Sequence, residues 1–295
     1  MKLILKKEKN NTALAKWLQI VSVLSDSIVL EIKNELGVSK FVTKAFDETK
    51  SNVRRAEISF EECGIEFIKC LDGADLETND WNNILIGIHQ NVKKFISIIN
   101  TVTSSECEIT IIFEDNPQIK IQGIEGKEDT YAATGIIFKT DTLDLTFEAF
   151  KMHMFTYLDD YVYNTLVFKS VQPATITITP QIITNIEQIS AIYSVDSNKE
   201  LLNFYNRGDM LYVRHKDRKY DYKIGKLEID DEHINVFENK CIDIIFLRSM
   251  FIESFKEIKT NTIMTLSTIL GQADRVLLET DKIKTVIVHI SEDSI

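Results

Sequence analysis

The 295-residue chain sets 34 Lys and Arg against 45 Asp and Glu, a formal net charge of −11, and 44% of it is hydrophobic. So much apolar material excludes a disordered chain, and the acidity excludes a protein that grips nucleic acid with its whole surface. Ten Gly and three Pro leave little for low-complexity linkers, and the length suits one large domain or two ordinary ones. Residues 1–7 alternate as a first strand. A helix is predicted over Thr12–Leu24, with Leu14, Trp17, Leu18, Val21 and Leu24 on one stripe and Lys16 facing away. Alternating strands follow at Ile28–Lys33, Lys40–Phe46 and Ala56–Phe60, then Glu66–Cys70 and, past a turn at Asn79–Asp80, Ile84–Ile88. A second helix over His89–Val102 buries Val92, Phe95, Ile96 and Ile99. At about 100° per residue, Lys94 lies opposite that stripe and Lys93 at its flank. Strands at Cys107–Phe113 and Ile119–Gly123 are separated by Glu114–Pro117, which reads as a turn, and Tyr131–Phe138 closes this half.

Residues 139–170, with Met152, Met154, Phe155 and Tyr157 around Asp159 and Asp160, read equally as a long connector with some strand or helix of its own or, over Phe147 to Phe168, as more core. A strand at Thr175–Thr179 then runs into Thr179-Pro180, a threonine cap with proline at the first helical position. The helix Pro180–Tyr193 presents Ile182, Ile186, Ile189 and Tyr193 as its apolar stripe. Strands are predicted at Leu201–Tyr205, Met210–His215, Tyr220–Ile229, Ile234–Phe237 and Cys241–Leu247. A helix over Met250–Lys259 buries Phe251, Ile252, Phe255 and Ile258, and strands at Thr262–Ile269, Arg275–Thr280 and Lys284–Ile290 finish the chain. Each half therefore repeats one module: helix, strands, helix, strands. The fold class is α+β, with antiparallel sheets and few helices. The domains fall at 1–138 and 171–295.

Apolar runs are strand-length, so no transmembrane helix is expected, and the short apolar start is followed by charge, unlike a signal peptide. Cys63, Cys70, Cys107 and Cys241 form no Cys-x-x-Cys pair, which fits reduced thiols in a cytosolic protein. No glycine-rich phosphate loop occurs, the five histidines lack ligand spacing, and the acidic pairs sit in turn-like contexts. No metal, cofactor or enzymatic activity is expected. A shape-based binding protein and a viral or phage assembly component both fit these features.

The stretch INVFENKCIDIIFLRSMFIESFKEIKTNTIMTLSTI at 234–269 reads as strands, a short Phe-rich helix ending in lysine, and an alternating strand. With the tail ADRVLLETDKIKTVIVHI at 273–290, it resembles the C-terminal domain of the DNA sliding clamps, the ring-shaped polymerase processivity factors. FVTKAFDETKSNVRRAEISF at 41–60 and WNNILIGIHQNVKKFISIIN at 81–100 resemble the matching parts of a clamp's first domain. The resemblance implies a ring of six domains, and therefore three copies of a two-domain chain. Its helices would line a channel around duplex DNA, with Lys16, Lys93, Lys94, Lys256 and Lys259 meeting phosphates without sequence preference. A DNA polymerase and a clamp-loader ATPase are the implied protein partners. By position, the partner-peptide pocket comprises Phe46, Val53, Ile287, Val288 and His289 with Met154, Phe155 or Leu158 from the connector. The trimer interface would join edge strands, Ile136 and Phe138 of one chain beside Tyr222 and Ile224 of the next. The third helix departs from the pattern, with Thr184, Glu187 and Gln188 where clamps carry basic residues. Glu253 weakens the second half's channel face further.

Overall fold

A computed structural model describes residues 2–35, 37–46, 52–71, 83–118, 130–151, 171–193, 200–215, 221–229, 243–256, 258–269 and 272–288. The chain divides into two compact units. The first comprises Met1–Ala45 and Arg55–Asp159, the second Phe46–Arg54 and Asp160–Ile295.

In the first unit β1 (Lys2–Lys7) leads to α1 (Ala13–Val21), then β2 (Ile28–Glu35), β3 (Val38–Phe46), β4 (Asn52–Ser59, whose first three residues belong to the second unit), β5 (Ile65–Leu71) and β6 (Asn83–Ile88). Helix α2 (Val92–Thr101) and strands β7 (Cys107–Gln118), β8 (Thr130–Lys139) and β9 (Asp144–Glu148) complete it. The second unit runs β10 (Val171–Ile178), α3 (Pro180–Tyr193), β11 (Leu201–Arg207), β12 (Met210–His215), β13 (Asp221–Lys226), β14 (Glu228–Ile229) and β15 (Asp243–Leu247). It ends with α4 (Arg248–Glu253), β16 (Thr262–Ile269), β17 (Gln272–Glu279) and β18 (Ile283–Val288). The order of elements is the same in both halves, so the duplication legible in the sequence is present in the fold.

Sheet topology repeats as well. The first unit orders its strands β5-β1-β7-β8-β9 and β4-β3-β2-β6, the two runs joined where β6 meets β8 in parallel. The second unit orders them β14-β10-β16-β17-β18 and β13-β12-β11-β15, the same arrangement strand for strand. The helices are nine and ten residues long in the first unit, too short to persist alone, and hold their shape by burying one face. Leu14, Trp17, Leu18 and Val21 of α1 and Val92, Phe95, Ile96 and Ile99 of α2 are buried as the spacing predicts. At the start of α1 it is Asn11 Oδ1, rather than Thr12, that accepts the Ala13 N–H, at 3.0 Å. In α3 the expected cap is present: Thr179 Oγ1 accepts the Ile182 N–H at 3.3 Å. Its buried positions are Ile183 and Ile186, with Ile182 partly buried and Ile192 73% exposed.

Four sequence expectations need correction. Glu114–Pro117 is no hairpin turn. Strand β7 continues through it to Gln118, and the turn-forming residues are taken up as a bulge, with Phe113 opposite Ala133 and Gln118 opposite Tyr131. The last helix ends at Glu253, and i→i+3 bonds at Phe255, Lys256 and Ile258 carry the chain onward. The cause is side-chain competition for Ser254. Its carbonyl accepts Arg54 Nη2 at 2.6 Å and its hydroxyl accepts Asn52 Nδ2 at 2.8 Å, so that carbonyl is engaged away from the helix axis. Strand β2 is not half-exposed but buried on both faces. Glu31 takes Lys44 Nζ at 3.1 Å and Lys33 Nζ at 3.3 Å, which keeps the buried carboxylate neutralised.

The fourth correction concerns β8, expected as an edge. It is an interior strand, paired with β7 along one side and with β6 and then β9 along the other. Gly135 sits where the partner changes, and a Cβ there would meet the Phe147 carbonyl at 3.3 Å. Ile136 and Phe138 are each 2% exposed, buried in their own unit, so neither is free to meet another chain. Strand β9, inside the segment expected as connector, is core: Phe147 packs its ring 4.8 Å from that of Phe95.

Candidate nucleic-acid interface

The helix layer of the first unit pairs α1 with α2. What their sheet-facing stripes leave outward is Lys16 and Gln19 on α1, and Lys93, Lys94, Ser97, Asn100 and Thr101 on α2, all exposed. Neither helix contains a carboxylate. No ion pair neutralises the three ammonium groups among the described residues. Lys93 and Lys94 stand in the first turn of α2, whose start at Asn91 has no side-chain cap. The uncapped N–H groups and helix dipole there add to the lysines' attraction for an anion. The chain is aimed into this turn by Gln90, whose φ of 51° lies in the left-handed region. Ser27 Oγ fixes it by accepting the Gln90 N–H at 3.1 Å, and the same hydroxyl shares a hydrogen bond with His89 Nδ1 at 2.8 Å.

The second unit's helices differ. Gln181, Thr184, Glu187 and Gln188 are the polar exposed positions of α3, and α4 exposes Glu253. Lys256 and Lys259 are exposed but belong to the turns after α4 rather than to the helix expected to carry them. A cavity of about 400 Å³ separates α3 from α4, with Ile183 and Ile252 in its lining and Glu187, Glu253 and Lys256 around it. Basic character is concentrated on the first unit's layer, as the sequence of α3 foretold.

Three of the expected peptide-pocket residues have described side chains. Phe46 is half-buried at the end of β3. Val53 and Ile287 are buried, at 3% and 0% exposure, Ile287 within the second unit's hydrophobic core. Neither offers a side chain to an incoming peptide. Val288 closes β18, but its side chain lies outside the described residues, as do Met154, Phe155, Leu158 and His289. Of the expected interface residues in the second unit, Tyr222 is half-buried and Ile224 mostly buried on β13, an edge strand of its sheet. Cys63 and Cys107 are buried and in no disulfide.

Sequence reasoning missed Arg54. It is fully buried and donates through Nε to Thr285 Oγ1 at 3.1 Å as well as to the Ser254 carbonyl. Burial pulls its guanidinium down to about 10. The available signal was the Arg54-Arg55 pair in an alternating strand, which forces one of two adjacent cations inward.

Among the described residues, two units of nine strands and two helices, repeated in order and pairing, define the sliding-clamp fold. Solved structures with that fold match nearly the whole chain. Proliferating cell nuclear antigen from Entamoeba histolytica aligns at TM-score 0.60 and 10% identity, covering 98% of this chain and 99% of that one. The A. fulgidus antigen, solved with the C-terminal region of FEN-1 bound, aligns at TM-score 0.57 and 11% identity, covering 98% and 99%. The H. pylori beta clamp, solved with 5-chloroisatin, aligns at TM-score 0.59 and 15% identity, covering all of this chain and 65% of that one. No protein-family model and no curated protein matches the sequence. The shared property is therefore the fold. Among the described residues no helix is long and apolar enough to cross a membrane, and no cluster of His, Cys, Asp and Glu could hold a metal.

Proposed function

We propose that this chain is a DNA sliding clamp, a homotrimeric ring that encloses duplex DNA and tethers a replicative polymerase. The observation that carries the reading is the carboxylate-free, lysine-bearing layer of α1 and α2 on a clamp fold whose overall charge is −11. An acidic protein cannot hold DNA by general attraction, so retention comes from enclosure, with a few inward lysines meeting phosphates. Lys16, Lys93 and Lys94 are the principal contacts, and Lys256 and Lys259 supplement them. A clamp-loader ATPase opens the ring. Partners dock through short segments, as the C-terminal region of FEN-1 does on the A. fulgidus antigen.

Enclosure has a distinctive signature. With its loader and ATP, the protein should remain on circular duplex through a high-salt wash and leave when the circle is cut. Retention that ignores linearisation, or no gain in polymerase processivity, would end the clamp reading.

Closure of three chains needs two free strand edges per chain. With β8 interior, β9 supplies the first unit's edge and β13 the second's, so β9 of one protomer pairs with β13 of the next. Thr146→Pro on β9 or Ile224→Pro on β13 should each convert a particle of about three times 33.9 kDa to one of 33.9 kDa by light scattering. An unchanged trimer mass in both variants would place the interface elsewhere.

A further inference from the structure

The four-stranded sheet of the second unit has two different faces. Leu202, Phe204, Leu211, Val213, Ile244 and Phe246 point one way and are buried in the core. The opposite face over β11, β12 and β13 carries a cluster of side chains to which the clamp reading gives no role, although it uses the backbone edge of β13 for ring closure. Tyr205 and Tyr212 face each other across the strands, rings 5.6 Å apart and only 20° from parallel. The Arg207 guanidinium lies over both, 5.4 and 5.2 Å from their centroids, and that of Arg214 lies 4.9 Å from Tyr205. Asp221 ties the arginines down: Arg214 Nε reaches it at 2.6 Å and Arg207 Nη2 at 2.9 Å. Lys223, opposite Tyr212, is exposed and extends the row of cations.

In a chain of net charge −11, this face sets Arg207, Arg214 and Lys223 beside Asp221 and the exposed Asp243, which stands across from Tyr205, and interleaves these cations with two flat aromatic rings. We propose that it is a binding platform for single-stranded nucleic acid. Stacking needs π faces that several bases can share, and the phosphates between them need cations beside those faces. Neighbouring strands of an antiparallel sheet supply both when the far face is packed away. Arg207 is 60% exposed and Arg214 38%, so each can turn from Asp221 to a phosphate without unpacking the core. The tyrosine faces they uncover then take bases. Asp221 is the resting counter-ion that the phosphates replace. It is ionised at neutral pH, and the Arg214 hydrogen bond holds its carboxyl below the usual carboxylate range, at about 2. A duplex hides its base faces and gains from the cations alone, so the platform selects unpaired strands. On a clamp this face lies opposite the helix layer, outside the channel.

The test is fluorescence anisotropy with a labelled oligothymidylate of about 12 nucleotides, against a duplex and a polyglutamate peptide of equal charge. The wild-type chain should bind the single strand at least about tenfold more tightly than either competitor. Tyr205→Leu with Tyr212→Leu should weaken it by roughly 10-fold or more, and the Phe pair should retain it. Asp221→Asn should tighten binding several-fold, which a cluster serving only to brace the sheet would not do. If the leucine pair misfolds, the exposed Lys223→Glu supplies the loss by charge alone. Equal binding of the peptide, an unchanged affinity in the leucine pair, or loss on changing Lys93 and Lys94 instead would overturn the platform. Those outcomes leave retention on circular DNA untouched. Failure of circle retention with oligothymidylate binding intact would overturn the clamp reading and spare the platform.

Discussion

Lys93→Glu together with Lys94→Glu is expected to cut loading onto circular duplex by at least about two orders of magnitude near 0.1 M salt, with trimer mass unchanged. Each lysine–phosphate contact contributes about 0.9 to the slope of log affinity against log salt, roughly tenfold per contact at that ionic strength. The double change removes two cations and adds two anions, taking the chain from −11 to −15. It places the carboxylates in the first turn of α2, beside its uncapped N–H groups. There they stabilise the helix by favourable interaction with its dipole, so a folding defect cannot explain lost loading. Glu187→Lys with Glu253→Lys should act in the opposite sense, because the second unit's layer is where carboxylates stand outward. Loading assayed at several salt concentrations, with light scattering alongside, checks both. Normal loading by the lysine variant would remove α2 from the DNA-facing surface.

The sequence revealed what local chemistry decides. The α3 start was legible to the residue because Thr179 and Pro180 act within one turn. The stripes of α1 and α2 were legible because burial of one face is written at a spacing of three and four. Determinants far away in sequence were hidden. Helix α4 stops short because Asn52 and Arg54, some 200 residues earlier, claim Ser254. The interior place of β8 depends on β9, a strand inside what read as connector, reaching back to Gly135–Lys139. The alternation of β2 did not show that Glu31 and Lys33 are buried, because Lys44 completes the ion cluster from β3. The lysines of the candidate DNA face were readable for a simple reason: they lie off the apolar stripes, and no described residue forms an ion pair with them. The tyrosine–arginine platform was not, since its residues come from three strands and meet only through cross-strand register.

Arg54→Ala should destabilise the second unit by about 3–5 kcal/mol, the largest stability effect expected in this chain. Truncation leaves a void the size of an arginine side chain and strands the Ser254 carbonyl and Thr285 hydroxyl without this donor in a site that excludes water. Arg54→Met separates the two contributions. It fills most of the volume and removes the cost of burying a cation, a cost shown by the fall of the guanidinium from its ordinary range to about 10. Methionine should therefore lose less than alanine, although neither restores the two hydrogen bonds. The sign with pH follows from the same shift. The folded-state value lies below the unfolded one, so the charged guanidinium weighs against folding at all pH below about 10, and that cost is relieved as pH rises through it. Urea denaturation of the three proteins near neutral pH gives the ordering wild type, Met, Ala. Equal midpoints for Ala and wild type would mean that the Arg54 bonds contribute nothing net. Because Ser254 ends α4, the alanine variant also frees its carbonyl to continue the helix toward Ile258. Lys256 and Lys259 would then shift, whereas Lys16, Lys93 and Lys94 on the first unit keep their places. DNA retention below the unfolding midpoint should accordingly survive in Arg54→Ala, setting apart a residue that holds the fold from those that meet the duplex.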